Sequence, residues 1–344
     1  MPRKQEHSAT SCKVLVERLK DCKSSDQRVL LLEDLLWKSR NLPPGARWFY
    51  TARALKCFVD GPVAARLDME EPEMMTHKAD VAILTAIPPE LIATKIAFNI
   101  PLEIQEDEYV NGLRFWETPL TDSTGGQLDI VLTMIGESGN VSCAAACDRL
   151  FNTYDVGLCI LVGVAAGLKG KVKLGDVVAA DIVLDYENAR LESDGAKKRP
   201  RQFSPGVQIA RDLEYFNPQQ HNWYDILRQA SGQLREVTYL EAPPNDDFWN
   251  PEFVSGVILS GEKLIADGSL DVRRKEYHDR IRAAEMEGRG FARMCEEHGV
   301  PWLVFRGISD YGDPQINKDW QGTSALDAAT AARLFIERGY KKPI

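Results

Sequence analysis

The sequence lacks any uninterrupted run of about 18 apolar residues, the length that a membrane-spanning helix requires. Its first residues, MPRKQEHSATSCK, are charged and lack the apolar core of a secretory signal peptide. An excess of positive charge is also missing, since the formal net charge is -9. We therefore expect a soluble, cytoplasmic protein that binds neither a membrane nor a nucleic acid, because phosphate backbones require a basic face.

Motifs for metals and dinucleotides are missing too. None of the 7 cysteines belongs to a CxxC pair, and the 5 histidines are scattered without the spacing of metal ligands. Cys143 and Cys147 lie in an alanine-rich segment, which indicates small buried thiols in a reducing compartment. The glycines of GVAAGLKG match neither the GxGxxG pattern nor the P-loop pattern. We expect no metal site and no cofactor.

The composition that the chain does have is typical of a globular enzyme: 344 residues, 44% hydrophobic and 27% charged. Residues 1–70 carry apolar positions at helical spacing, as in CKVLVERLKDCK, and predict a small all-α domain. The acidic, proline-containing segment at residues 71–78 predicts a linker. Residues 79–344 then predict a larger domain of a different class.

This larger domain alternates short apolar runs with helical patterns. DVAILTAI precedes PPELIATKIAF, LDIVLTMI precedes SGNVSCAAACDRLF, and GLCILVGVAAG and VPWLVFRGISD are further apolar runs that end in glycine or a carboxylate. Such alternation predicts an α/β sandwich around a largely buried mixed sheet. Ligands of such folds bind just beyond the carboxyl ends of the strands.

Carboxylates stand at three of these predicted strand exits. Glu90 follows ILTAI, Glu285 and Glu287 flank the methionine of AAEMEG, and Asp310 follows VFRGIS. Each of them, taken singly, is equally well explained as a helix cap or as a first-turn acid that the helix dipole favours. Because the strand ends of such a sheet meet at one edge, their shared placement predicts a site with several acids.

The motifs AIPPE, GVAAGLKGKVKLGDVV, AEMEG and RGISDYGD occur here in an order and spacing that resemble a known superfamily. It contains the purine nucleoside phosphorylases and the 5'-methylthioadenosine/S-adenosylhomocysteine nucleosidases. With NKDWQG included, the chain looks most similar to the nucleoside-phosphorylase-like effector domains of NLR-type and bacterial antiviral defence proteins. The resemblance implies a three-layer α/β/α sandwich with a central mixed sheet, preceded by a small all-α domain.

The resemblance also implies catalytic roles for four residues. Asp310 would be the general acid that protonates N7 of the leaving purine, so it would carry a proton in the reactive complex. Ser309 would orient Asp310. Glu90 would activate the attacking water, and Arg306 would keep the acids and the water of the pocket ordered.

Substrate-binding roles follow from the same resemblance. Glu287 would hold the ribose hydroxyls, and Met286 would pack beneath the sugar. Leu264 would form an apolar wall for the base, while the backbone of Ile265 would read the edge of adenine. Trp320 would be an aromatic lid residue, although a tryptophan in a surface loop also fits simple packing. The remaining predicted substrate-binding residues are Ile87, Val164 and Glu285.

Hydrolysis is favoured over phosphorolysis by two apolar residues of the central strand. Leu161 stands where phosphorylases of the superfamily have an arginine, and Val164 where they have a serine. Two apolar side chains cannot bind a phosphate dianion, so water is the expected nucleophile. A phosphate-dependent phosphorylase, with cations supplied by a neighbouring subunit, and a methylthioadenosine/S-adenosylhomocysteine nucleosidase stay open as alternatives. Relatives share site residues across an interface, which implies a homo-oligomer, at least a dimer.

The 5' group of the substrate is the least determined part of the prediction. The effector-type resemblance favours adenine release from a nucleotide such as ATP over a thioether nucleoside, with a sensor or regulatory protein bound to the N-terminal helices. A nucleotide-binding sensor or scaffold without turnover is the non-enzymatic alternative. Two basic clusters could bind phosphates or could simply be solvated faces. They are Lys197, Lys198, Arg199 and Arg201 in one segment, and Arg273, Arg274 and Lys275 in another.

Overall fold

The chain divides into two compact units, residues 1–77 and 78–344. The computed structural model describes residues 2–22, 25–39, 50–52, 54, 77–103, 109–193, 195–237, 249–315 and 318–341. No helix among these residues is long and apolar enough to cross a membrane.

The first unit contains the helices α1 (Pro2–Asp21) and α2 (Ser25–Ser39). Their packing follows the helical spacing of the sequence, since Leu15 and Leu19 of α1 lie four residues apart and are both buried. The rest of this small core consists of Cys12, Val16, Leu35, Tyr50 and Ala54. Most of residues 40–70 of the predicted all-α domain, and residues 71–76 of the predicted linker, lie outside the described residues. The last two linker positions are the start of the first strand.

The second unit alternates strands and helices as the sequence predicts. Its strands are β1 (His77–Thr85), β2 (Phe115–Thr121), β3 (Gln127–Met134), β4 (Tyr154–Gly167), β5 (Val177–Asp185), β6 (Ala189–Glu192), β7 (Gly195–Lys198), β8 (Arg201–Phe203), β9 (Phe253–Ser260), β10 (Ile281–Glu285) and β11 (Trp302–Asp310). Its α-helices are α3 (Pro88–Ala97), α4 (Asn140–Thr153), α5 (Val207–Tyr215), α6 (Trp223–Arg235), α7 (Leu270–Tyr277), α8 (Gly288–His298) and α9 (Gln321–Leu334). A 3-10 turn at Pro218–His221 and a π-helical turn at Phe335–Gly339 complete the elements.

A mixed sheet forms the centre of this unit, in the order β10-β9-β5-β11-β4-β1-β3-β2. The central pair β4 and β11 is parallel, whereas β11 runs antiparallel to β5. β8 pairs with β5, and β6 and β7 form a separate hairpin. β10 also pairs antiparallel with β4, so the sheet curls until two strands that are distant in its order lie side by side.

Helices cover both faces of this sheet. Along β4, Leu158, Ile160 and Val162 pack in the core shared with α3, α5, α6 and α9. The alternate residues Cys159 and Leu161 pack in the opposite core, which α4 and α8 close. Successive side chains of a strand point to opposite faces, so both faces must be apolar and both must be covered. The predicted three-layer α/β/α fold with a mixed sheet is confirmed.

Helix α9 packs very closely on β11 because of a glycine. A Cβ atom added at Gly307 would overlap the backbone carbonyl of Ser324 in α9. The hydroxyl of Ser324 in turn donates a hydrogen bond of 2.7 Å to the carbonyl oxygen of Ile308. The direct contact between helix and strand backbone fixes the position of the carboxyl end of β11.

We predict that Gly307→Ala lowers the free energy of unfolding by about 1–3 kcal/mol, the usual cost of overpacking where backbone must move. Gly232→Ala is the matched control, because Gly232 lies in α6 with no other atoms near an added Cβ. That change should leave stability unchanged or raise it by up to about 1 kcal/mol, since alanine favours a helix. Urea unfolding measures both, and equal stabilities of the two variants would contradict the prediction.

Candidate active site

The carboxyl ends of β10 and β11 meet over a single residue of β4. Ala166 is paired with Ala284 of β10 on one side and with Asp310 of β11 on the other. The next residue of β10 is Glu285, so the acids of two strand exits reach the same edge of the sheet. Glu90 joins them from the first turn of α3, which directly follows β1.

A completely buried arginine holds the acids together. The side chain of Arg306, in the middle of β11, is 0% exposed. Its Nη2 atom lies 2.5 Å from Oε2 of Glu285 and 2.8 Å from Oε2 of Glu287. Its Nη1 atom lies 3.6 Å from Oε1 of Glu90. Carboxylates can be buried here because a guanidinium compensates part of their charge.

Backbone N–H groups fix the carboxylate of Glu90. Its Oε2 atom accepts hydrogen bonds from the N–H of Ala86 at 2.7 Å and of Ile87 at 3.1 Å. Its Oε1 atom accepts a hydrogen bond of 2.8 Å from the N–H of Val164. Burial raises the pKa of Glu90, and this effect exceeds the lowering by Arg306 and by the backbone N–H groups. The result is a rigidly held carboxylate with increased basicity.

A glycine of β4 provides the space for this arrangement. Gly163 pairs with Arg306 in the sheet, and a Cβ atom there would overlap both Nη1 of Arg306 and Oε1 of Glu90. A larger residue at position 163 would therefore displace the ion pair itself. The glycine of ILVGVAAG is required by close packing of side chains, not by its backbone conformation.

Glu285 and Glu287 have different surroundings although they are two residues apart. Glu285 accepts backbone hydrogen bonds from the N–H of Glu287 at 2.9 Å and of Gly288 at 2.8 Å. Glu287 accepts a hydrogen bond of 3.1 Å from the N–H of Gly139, at the start of α4. Burial, and then the neighbouring carboxylates, raise the pKa of Glu287 to about 7, although Arg306 lowers it.

Asp310 ends β11 with both of its carboxyl oxygens in hydrogen bonds. The hydroxyl of Ser309 donates to Oδ2 at 2.9 Å, and the N–H of Gly312 donates to Oδ1 at 2.8 Å. Gly312 has a φ of 62°, a left-handed conformation that favours glycine in the turn after the strand. The turn and the serine hold the aspartate in one orientation.

A pocket of about 220 Å³ opens above these groups. Most of the predicted site residues line it: Ile87, Glu90, Val164, Leu264, Ile265, Glu285, Met286, Glu287, Ser309 and Asp310. Arg306 lies beneath the pocket, where it touches the acids but not the space itself. Trp320, predicted as a lid, is not among the lining residues, and its ring lies beside Gly175.

Sequence reasoning missed several residues of the pocket wall. They are Ser138, Ala165, Ala166, Lys263, Ala284, Lys318 and Gln321. Lys263 lies in the stretch LSGEKLIADG and Lys318 in NKDWQG, yet an isolated exposed lysine has no periodic pattern that would distinguish it. No group of three or more potential metal ligands occurs among the described histidines, cysteines and carboxylates.

The two predicted basic clusters do not line the pocket. On the hairpin, Lys197 forms an ion pair with Glu192, and Lys198 forms one with Glu276. In α7, Arg274 and Lys275 both pair with Asp271, at 3.0 and 2.7 Å, and the guanidinium of Arg273 lies over the ring of Tyr186. Five of the seven cations thus have a local partner, and the remaining two, Arg199 and Arg201, are exposed and also lie outside the pocket. Both clusters are surface features, in which ion pairs contribute little.

A family model supports the relationship that these motifs suggest. The model described as "Phosphorylase superfamily" matches residues 80–338, which is nearly the whole second unit. The chain belongs to the phosphorylase superfamily. The predicted relationship is thereby confirmed, and the match covers every acid of the site together with Arg306.

Two groups of curated proteins are similar to this chain. ATP nucleosidase Cap17 of Escherichia coli is 31% identical over 277 residues, covering 78% of this chain and 53% of the relative. The 5'-methylthioadenosine/S-adenosylhomocysteine nucleosidase of Mycobacterium tuberculosis is 26% identical over 222 residues, covering 61% of this chain and 82% of the relative. The chain thus spans about half the length of the ATP nucleosidase that it matches.

Solved structures of superfamily members share the fold. The 5'-methylthioadenosine/S-adenosylhomocysteine nucleosidase of Neisseria meningitidis, in complex with methylthio-immucillin-A, has a TM-score of 0.54 and 18% identity, and the match covers 75% of this chain and 99% of that one. The corresponding nucleosidase of Colwellia psychrerythraea, in complex with adenine, has a TM-score of 0.55 and 18% identity, covering 78% and 99%. At this identity the likeness supports the fold alone.

We predict that the protonation of Glu287 makes folding sensitive to pH. Between its ordinary value of 4.5 and the raised value of about 7, the folded protein holds a proton that the unfolded chain has released. Folding then takes up a proton, so stability falls as the pH rises through this window, by at most about 1.4 kcal/mol per pH unit.

Glu287→Gln should remove this component. Urea unfolding of both proteins at several pH values from 5 to 7.5 measures it, because the contributions of groups remote from residue 287 cancel in the difference. The stability of the unaltered protein relative to the variant should decrease as the pH rises. The same pH slope in both proteins would contradict the proton on Glu287.

Proposed function

We propose that this chain hydrolyses the N-glycosidic bond of adenine nucleosides or nucleotides, with ATP as the favoured substrate, and releases adenine. The observation that carries the proposal is the convergence of Glu90, Glu285, Glu287 and Asp310 on one pocket above a buried arginine. The similarity to an ATP nucleosidase over 78% of this chain supports the choice of substrate. The ribosyl bond to a purine breaks with positive charge on the sugar and negative charge on the base, so both must be stabilised.

Asp310 is proposed to act on the leaving base. A protonated Asp310 donates its proton to N7 of adenine as the bond to the sugar lengthens, which converts a poor anionic leaving group into a neutral one. Ser309 and Gly312 hold the carboxyl group, so little reorganisation is needed at the moment of transfer. The backbone of Ile265 is proposed to read the amino edge of adenine, with Leu264 as the apolar wall.

Glu287 is proposed to act on the sugar. Its carboxylate is held by Gly139 and Arg306, and its remaining lone pairs can accept hydrogen bonds from the 2' and 3' hydroxyls of ribose. Such contacts strengthen as the ring flattens toward the cation, as they do in other glycoside hydrolyses. Met286, on the same pocket wall, is proposed to pack beneath the sugar.

Glu90 is proposed to activate the attacking water. Three backbone N–H groups fix its carboxylate, and burial raises its pKa and so makes it a stronger base. Ile87 and Val164 also line the pocket and contribute apolar surface beside Glu90, which leaves the carboxylate as the group that can orient a small nucleophile.

The charges around Arg306 favour water over phosphate. One guanidinium compensates three carboxylates, and its complete burial keeps it away from a ligand in the pocket. Leu161 is buried in the core, and the N–H of Val164 is already bonded to Glu90. At the inner end of the pocket a phosphate dianion would therefore find no free cation to compensate its charge.

The two units of the chain are proposed to have different roles. We propose that residues 79–344 are the catalytic domain and that the helical residues 1–70 bind a sensor or regulatory protein. We also propose a cytoplasmic homo-oligomer, at least a dimer, in which release of adenine from ATP serves an antiviral response. The separate core of the first unit supports an independent role for it.

Asp310→Asn should reduce adenine release by about 10²- to 10⁴-fold, because the amide keeps the shape of the side chain but cannot supply a proton. Chromatographic detection of free adenine from ATP, AMP, adenosine and methylthioadenosine measures the loss. Thermal unfolding of the variant checks that the fold is intact. A variant that is folded and turns over at the original rate would remove Asp310 from the mechanism.

The rate of adenine release should be independent of inorganic phosphate, and the sugar product should carry a hydroxyl at C1'. Turnover with phosphate present and absent, with mass analysis of the sugar product, tests this. Phosphate-dependent turnover that yields a sugar 1-phosphate would instead establish a phosphorylase.

A further inference from the structure

The mouth of the pocket has the opposite charge from its inner end. At the inner end, Glu90 and Glu287 are only 2% and 4% exposed. Among the described residues that line the pocket, the cationic side chains are Lys263 and Lys318, and both are exposed. We propose that these two lysines bind the 5'-phosphates of the substrate and so select nucleotides over uncharged nucleosides. This inference rests on the function proposed above.

The inner end of the pocket cannot accept the phosphates. The guanidinium there is buried and is already shared by three acids, so a polyphosphate would find no free cation at the inner end. The anionic part of a bound nucleotide must therefore lie where positive charge faces solvent. Among the described lining residues, Lys263 and Lys318 provide that charge.

Ion pairs and a backbone hydrogen bond fix the loop that carries Lys263. Its Nζ atom lies 3.0 Å from Oε1 of Glu187. The other oxygen of Glu187 accepts a hydrogen bond of 2.8 Å from the N–H of Glu262. Arg289 also pairs with Glu262, at 2.7 Å, so the guanidinium of Arg289 is already engaged. Glu187 thus positions the loop that carries Lys263, although it compensates part of the lysine charge.

Lys318 carries the less compensated charge. Within the described part of the chain it has no ion pair, and it lies two residues before Trp320, the residue that caps α9. Gln321, the first residue of α9, lines the pocket as well. The positive end of the dipole of a 14-residue helix therefore lies on the same side of the pocket as Lys318.

The two surface clusters lie outside the pocket that is proposed to hold the base and the sugar. The lysines of the hairpin pair with Glu192 and Glu276, and the cations of α7 pair with Asp271 or lie over Tyr186. None of these cations lines the pocket that contains Asp310. For a nucleotide whose base lies at Asp310, the described cations within the same pocket are Lys263 and Lys318.

The first experiment compares kcat/KM for ATP and for adenosine in the unaltered chain and in the Lys263→Gln/Lys318→Gln variant. We expect kcat/KM for ATP to fall about 10- to 100-fold, since partly exposed, charge-assisted contacts to phosphate are lost. The value for adenosine should not change. An equal loss for both substrates, or no loss for ATP, would overturn the proposal.

Two further variants separate a local contact from general electrostatics. Lys197→Gln/Lys198→Gln makes the same change in net charge on the hairpin, outside the pocket, and should leave ATP turnover unaffected. Lys318→Arg keeps the charge and should retain most of the preference for ATP. A loss with the hairpin variant as large as that with the pocket variant would refute a local role.

A binding measurement keeps this inference separate from the proposed function. In Asp310→Asn protein, calorimetry should give tighter binding of ATP than of adenosine, with inorganic tripolyphosphate as a competitor of ATP. Both the preference and the competition should disappear when Lys263 and Lys318 are also changed to glutamine. Absence of adenine release from every substrate would refute the proposed function, whereas equal affinity of ATP and adenosine would refute the role of the lysines.

Discussion

The ion pairs of Arg306 with three carboxylates are the interaction on which the rest of the site depends. A lone buried carboxylate is costly, and several together would repel one another. The guanidinium makes the cluster possible only because β4 has a glycine beside it, at position 163. Position 306 on the central strand then fixes where Glu285 and Glu287 point. Burying these charges lowers the stability of the fold, and the two apolar cores offset this loss.

The curl of the sheet is the second constraint. β10 belongs at one end of the strand order, yet it pairs with β4 in the middle. Without this closure the acids after β10 would lie several strands away from Asp310. Ala166 and Ala284 are small enough to let the two strands meet at this point. The site therefore depends on the topology of the whole sheet, with one further acid supplied by the first turn of α3.

Much of this architecture could be predicted from the sequence, because the features that determine it are local. Alternation of apolar runs with helical patterns predicts the layers, and acids directly after apolar runs predict the edge where they meet. The resemblance predicts that Arg306 orders the acids of the pocket. The pattern of residues alone could not identify its three partners, because they depend on the register between β4, β10 and β11. The residues at the pocket mouth were missed for a different reason. Lys263 and Lys318 look like any other exposed lysine until the fold brings them to the same opening, whereas the denser clusters that contain Lys197 and Arg273 lie outside the pocket.

The curled sheet also affects how the protein resists aggregation. A strand at the border of a sheet exposes unpaired backbone groups that another chain can extend. β10 is protected because its second side is covered by β4, so the border beside the acids is closed. The opposite end of the strand order is β2, which contains Pro119, a residue without an N–H group to donate. Glu117 of the same strand accepts a hydrogen bond of 2.6 Å from the hydroxyl of Tyr154. A second molecule is thus hindered from adding a strand at either end of the sheet order. At β10 the pairing with β4 prevents it, and at β2 the proline opposes it.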